Sequence, residues 1–200
     1  DPNAAGGFTP FVFIEAGDPQ IGGWTTIADT ASRLELLAER ANAIKPAFVV
    51  IVGDLVNDGP HEKELAAFNA ALAKFRMPVH LIPGNHDDLA TYRSRYGREY
   101  YAFTHRNCEF VCLDSQRLQH LVGGENQAQW QWLEAALAEA TRQHRRHIVL
   151  VMHHPPLLMP LAEALHLPSV HFLSPGLSLL MVGGGLVVGC LAGLVASRQA

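Results

Sequence analysis

The chain has 200 residues and a formal net charge of -4, with 15 Lys and Arg against 19 Asp and Glu. That length can close one core of ordinary size without staples, so a single domain is expected. No basic field recommends a nucleic-acid polymer or an anionic membrane surface as partner.

In chain order, the first predicted element is a short buried strand over 11–16, apolar and β-branched, closed by Gly17-Asp18-Pro19-Gln20. From Asp29 or Thr30 the spacing turns helical, with Leu34, Leu37, Ala38, Ala41 and Ile44 on one stripe, and Pro46 stops the helix. A second buried strand over 48–52 ends in Gly53-Asp54. The next helix, over 61–75, turns Leu65, Phe68, Leu72 and Phe75 inward. A third strand over 79–82 delivers Pro83-Gly84-Asn85-His86-Asp87. Residues 100–105 and 109–113 flank Arg106-Asn107 as an antiparallel hairpin that leads to Asp114-Ser115. A helix over 127–141, with Trp130, Leu133, Leu137 and Ala140 as its stripe, precedes an apolar strand over 147–152 capped by His153. The alternation predicts an α/β layered domain, with a hairpin where the order changes.

Each strand end therefore carries a hard oxygen or imidazole donor, and the carboxyl ends of successive strands are where an open α/β sheet offers a ligand site. Eleven histidines, many for this length, point the same way. Hydrolysis of a phosphoester needs a nucleophile made from water and neutralisation of phosphoryl charge, and two cations sharing a carboxylate supply both. Asp54 is the candidate bridge, presented after a glycine, with Asp18 on one metal and Asn85 and a histidine on the other. Spacing alone does not choose between His153 and His154. Mixed oxygen and nitrogen donors suit Mn, Fe or Zn better than Ca or Mg. His86 follows a ligand directly and is the candidate general acid or phosphate stabiliser, and Asp87 beside it is expected to hold the ring's other nitrogen. Asp114 is a turn acid on this reading, and Arg93, Arg95 and Arg98 are expected to form a solvated helix face, with reach to a substrate phosphate as the alternative.

Three cysteines make no disulfide framework. Cys108 and Cys112 project from one face of one strand, Cys190 lies in the tail, and buried free thiols in a reducing compartment are expected. Residues 1–7 lack the basic start and apolar stretch of a signal peptide, so a cytoplasmic location is expected. The tail differs from the rest. Between Glu163 and Arg198 there is no Asp, Glu, Lys or Arg, and 177–196 is apolar with glycines at 183, 184, 185, 189 and 193. Such a stretch is long enough to cross a bilayer, which gives a membrane-associated alternative, while two buried strands joined by a glycine turn have the same composition. The expected organisation is an incomplete domain over 1–175 and an apolar, glycine-rich segment over 176–200.

Together these motifs resemble the calcineurin-like metallophosphoesterases over roughly 11–156. The similarity is strongest in Gly53-Asp54, Gly84-Asn85-His86-Asp87 and His153-His154-Pro155-Pro156, with 101–115 and 130–137 also alike. The resemblance implies a β-sandwich flanked by helices, a dinuclear metal site at the strand ends, Asp18, Asp54, Asn85 and His153 as ligands, His86 as catalytic residue and a phosphomonoester or phosphodiester as substrate. Two departures stand out. The first motif is Asp18-Pro19-Gln20 in place of Asp-any-His, so that Gln20 offers a neutral amide oxygen, a weaker ligand than imidazole. The last motif, Gly-His-any-His, does not follow His153, and His166 and His171 have the wrong spacing to replace it. One metal thus keeps Asp54, Asn85 and His153, the other Asp18, Asp54 and Gln20. The chain is expected to hold one metal more firmly than two and to turn over poorly, with a non-catalytic binding or membrane-tethered module as the rival reading.

Overall fold

The computed structural model describes residues 10–118 and 124–154. The elements run β1 (Ile14–Ala16), α1 (Ile27–Ile44), β2 (Val49–Val52), α2 (Glu62–Leu72), β3 (Val79–Ile82), α3 (Leu89–Tyr96), β4 (Tyr101–His105), β5 (Cys108–Cys112), α4 (Ser115–Leu118), α5 (Gly124–Arg142) and β6 (His147–Val151). β1, β2 and β3 form a parallel sheet in that order, with Ala16 beside Ile51 and Val52 beside Ile82. β4 and β5 pair antiparallel, Tyr101 beside Cys112, and β6 joins β5 in parallel to make a second sheet.

The alternation of side chains along a strand explains the layering. Phe48, Val50 and Val52 share a core with Cys108, Phe110, Cys112 and Val151 of the second sheet. Val49 and Ile51 point the other way, into a core with Leu34 and Ala41 of α1, Leu65 and Phe68 of α2, and Tyr92 of α3. Both faces of β2 are covered, which is why its sequence is an unbroken apolar run. Between the sheets Phe48 stacks on Phe13 at 5.2 Å and meets Phe110 edge-on at 5.0 Å. The result is the expected α/β sandwich flanked by helices.

Two details of α1 differ from the sequence reading. α1 begins earlier than Asp29, because Thr26 caps it by accepting the Asp29 N–H at 3.1 Å. Ile44, placed on the buried stripe, is instead 60% exposed. The inward row runs Thr30, Leu34, Ala38, Ala41, the chain then turns through left-handed Lys45, and Pro46 takes the next buried place. Cys108 and Cys112 are free, buried and on one face of β5, and burial pushes the Cys112 thiol up to about 12. His166, His171, Cys190 and the segment over 176–200 lie outside the described residues, as does the candidate span over 177–196. Among the described residues, no helix is long and apolar enough to cross a membrane.

Candidate metal centre

Parallel pairing puts the carboxyl ends of β1, β2 and β3 on one edge, and the residues that follow them turn sharply. Gly53 and Asp54 are both left-handed, with φ of 82° and 50°, and Asp18 matches at 50°. A non-glycine residue in that region costs of order 1–3 kcal/mol and persists only where its surroundings fix it. The fixing is visible. The Asp54 carboxylate accepts the His86 N–H at 2.9 Å, which ties the loop after β2 to the loop after β3. A side chain at Gly84 would place its Cβ 2.2 Å from Asp54 Oδ1, so the close approach of these loops requires glycine there.

Asp18, Asp54 and His153 each offer one ligand atom, all within 4.8 Å of one another. His153 Nε2 stands 3.5 Å from Asp54 Oδ1 and 3.2 Å from Asn85 Oδ1, and its Nδ1 stands 3.9 Å from Asp18 Oδ1. His153 Nδ1 also lies 2.9 Å from the Val52 carbonyl oxygen, which can only accept, so Nδ1 carries the proton and Nε2 presents a lone pair. Lone pair, carboxylate and amide oxygen then converge with no proton among them. That donor set fits a cation, and an imidazole that donates its other N–H to a backbone carbonyl is the usual support of a metal ligand. The four expected ligands, Asp18, Asp54, Asn85 and His153, are thus brought together.

His154 also reaches Asn85, with Nε2 3.1 Å from Oδ1, and its Nδ1 lies 2.9 Å from Ser115 Oγ. Burial, followed by the neighbouring His153 ring, lowers its pKa. His86 is exposed, and its Nδ1 lies 2.8 Å from the Asn57 carbonyl oxygen. The expectation that Asp87 orients this ring is therefore corrected. Adjacent side chains diverge, and the buried Asp87 carboxylate accepts from the N–H groups of Leu55, Val56 and Gly84 at 2.8–3.3 Å. Burial pushes Asp87 up to about 6 against the pull of those donors. Gln20 has another task as well, accepting from Trp24 Nε1 at 2.9 Å and donating to Asn57 Oδ1 at 3.3 Å.

Asn57 and Glu64 had no signal in the sequence. Glu64 Oε2 accepts the Asn57 and Asp58 N–H groups at 3.0 and 2.9 Å and so fixes the loop whose carbonyl meets His86. Asp114 is fully buried and caps α4, accepting the Gln116 N–H at 3.1 Å with Arg117 3.4 Å away, in keeping with a turn role. Arg93 and Arg95 lie on α3 and pair with Glu99 and with Glu62 at the start of α2, whereas Arg98 follows the end of α3.

The family profile for calcineurin-like phosphoesterases matches residues 12–184, and the chain belongs to that family. It is 35% identical over 166 residues to the glycerophosphodiester phosphodiesterase GpdQ of Enterobacter lignolyticus (strain SCF1), covering 77% of this chain and 52% of that protein. It is 27% identical over 185 residues to the serine/threonine-protein phosphatase CPPED1 of Homo sapiens, covering 77% and 59% respectively. To the 3',5'-cyclic adenosine monophosphate phosphodiesterase CpdA of Escherichia coli (strain K12) it is 32% identical over 114 residues, 54% of this chain and 40% of that one. A solved dimetal phosphatase from Danio rerio matches with a TM-score of 0.55 at 18% identity, over 72% of this chain and 70% of that chain, which is a likeness of fold. The chain spans about half the length of the curated relatives it matches. Membership of the family implies divalent metal ions, and the donor set described above fits them.

Proposed function

We propose that this chain carries the metal-binding core of a hydrolase of phosphomonoesters or phosphodiesters. The observation that supports it is the convergence of Asp18, Asp54 and Asn85 from the ends of β1, β2 and β3 with His153 from the end of β6, with the exposed His86 next in the chain after Asn85. The named relatives act on both substrate types, a glycerophosphodiester and a cyclic nucleotide among the diesters and phosphoproteins among the monoesters.

When bound, divalent ions supply a water nucleophile at neutral pH and neutralise charge on the phosphoryl oxygens. Asp54 would be shared between two cations, Asp18 would serve one, and Asn85 and His153 would serve the other. In its doubly protonated form His86 donates Nδ1–H to the Asn57 carbonyl, which holds the ring so that Nε2–H is free to pass its proton to the leaving oxygen or to hydrogen-bond the phosphoryl group. Asp87 supports this from below by tying the loops after β2 and β3 together.

The donor count supports one firm and one weak cation site. Asp54, Asn85 and His153 give three donors to one, whereas the other has Asp18, Asp54 and at most the neutral amide oxygen of Gln20, which already accepts from Trp24. Metal analysis after loading with manganese, together with hydrolysis of nitrophenyl phosphate and its bis(nitrophenyl) ester, tests this. Near-stoichiometric single occupancy with slow, manganese-dependent turnover is expected. Absence of both metal and turnover refutes the hydrolase, and full double occupancy with brisk turnover refutes the impairment.

A further inference from the structure

We infer that His154 is a positioning residue whose ring, set by Ser115 in the Nε2–H tautomer, donates to Asn85 Oδ1 and aims that oxygen at the cation. This rests on the reading that Asn85 and His153 hold a metal.

Two adjacent imidazoles meet one amide oxygen almost equally, His153 Nε2 at 3.2 Å and His154 Nε2 at 3.1 Å, with the rings 4.7 Å apart and tilted by 76°. Distance does not separate their roles, but the partners of the other ring nitrogens do. His153 Nδ1 faces the Val52 carbonyl, an acceptor without a proton, so that ring is Nδ1–H and its Nε2 is a bare lone pair. His154 Nδ1 faces Ser115 Oγ at 2.9 Å, and the same hydroxyl oxygen already accepts the His154 backbone N–H at 3.0 Å. Ser115 is fully buried, and among the described residues Nδ1 is the acceptor that its hydroxyl proton meets. The proton on Oγ therefore points at Nδ1, and the ring proton of His154 sits on Nε2.

From there it donates to Asn85 Oδ1. The amide oxygen has two lone pairs. One takes the His154 proton, and the other faces the gap shared with His153 Nε2 and Asp54 Oδ1. Opposite tautomers thus divide the work, with His153 lending electrons to a cation and His154 lending a proton to that cation's neighbouring ligand. The arrangement also sets the orientation of the Asn85 amide, because a rotated NH2 group would meet the His154 N–H head-on.

Long-range proton–nitrogen NMR of the metal-free full chain, with labelled histidine and at a pH where both rings are neutral, reads each tautomer directly. Nδ1–H on His153 and Nε2–H on His154 are expected, with the His154 ring redistributing between tautomers in Ser115→Ala. Manganese affinity by calorimetry should fall about 10- to 100-fold in Ser115→Ala and His154→Phe, the usual scale for a residue that supports a ligand. His154→Gln should recover most of it, since the glutamine amide nitrogen takes the place of Nε2 as donor. Nδ1–H on His154, or parent-like affinity in both Ser115→Ala and His154→Phe, overturns the assignment. A parent chain with the expected tautomers that binds no manganese counts instead against the hydrolase reading, so the two failures are distinct.

Discussion

Removal of the Asp87 carboxylate tests how the candidate centre is held. Its two oxygens accept from Leu55 N at 3.0 and 3.2 Å, Val56 N at 3.3 Å and Gly84 N at 2.8 Å. Leu55 and Val56 are 0% and 1% exposed, so Asp87→Ala leaves three buried backbone donors without their acceptor. Each such group costs about 1–3 kcal/mol, which sums to roughly 3–9 kcal/mol if nothing relaxes. The low end is the better figure for two reasons. The vacated space admits a water, and burial already weighs against the ionised carboxylate, as its rise to about 6 records. A loss of about 3 kcal/mol is expected by urea unfolding of the full chain, a large part of a typical domain's 5–15 kcal/mol. Asp87→Asn, which keeps one accepting oxygen, should fall between. Stability within about 0.5 kcal/mol of the parent, the range of an ordinary surface change, would refute the reasoning. A selective loss of turnover without loss of stability would instead return Asp87 to the catalytic role that its position beside His86 first suggested.

His86→Ala should lower kcat on nitrophenyl phosphate by about 10²- to 10⁴-fold while manganese affinity stays near the parent's, because only the backbone N–H of His86 touches Asp54; a matching loss of affinity would make it a ligand. Asp54→Ala should abolish manganese retention in equilibrium dialysis, since this side chain approaches both His153 and the His86 amide; unchanged retention would remove it as the bridge. Gly84→Ala should unfold at markedly lower urea and lose metal, as the new methyl group would stand 2.2 Å from Asp54 Oδ1 and 2.3 Å from Asp54 N; parent-like behaviour would mean that the two loops are not pressed together. Burial raises the Asp114 pKa above the ordinary aspartate value, so the folded chain holds that proton more tightly than the unfolded chain. Its contribution to stability therefore declines as pH rises from about 4 through the raised folded value. Asp114→Asn should flatten that decline in thermal unfolding, and an unaltered profile would count against it.

The sequence exposed the strand ends because each of these strands is a short, mostly apolar run, buried on both faces in β2, and what interrupts such a run is the loop that carries chemistry. Asp18, Asp54, Asn85 and the His153-His154 pair were legible as strand-end residues for that reason, and the fold brings the ends of β1, β2 and β3 together with the end of β6. Ile44 was misplaced because a helical stripe continues on paper past the point where Lys45 turns the real chain. The supports of the site were illegible for a deeper reason. Asn57 acts through its backbone carbonyl, which every residue possesses, and Glu64 acts through an oxygen that meets two N–H groups only once α2 has packed. Asp87 sits beside His86 in sequence, yet its carboxylate turns inward to three buried backbone donors while His86 is exposed. The choice between His153 and His154 shows the same limit most sharply. Both are histidines at the same strand end and at the same distance from Asn85. What distinguishes them is a carbonyl from β2 on one side and a buried hydroxyl from α4 on the other, contacts separated from the pair by 101 and 39 positions along the chain. Identity and spacing select the donors of such a site, whereas long-range hydrogen bonds decide which nitrogen carries the proton and hence which ring can face a cation.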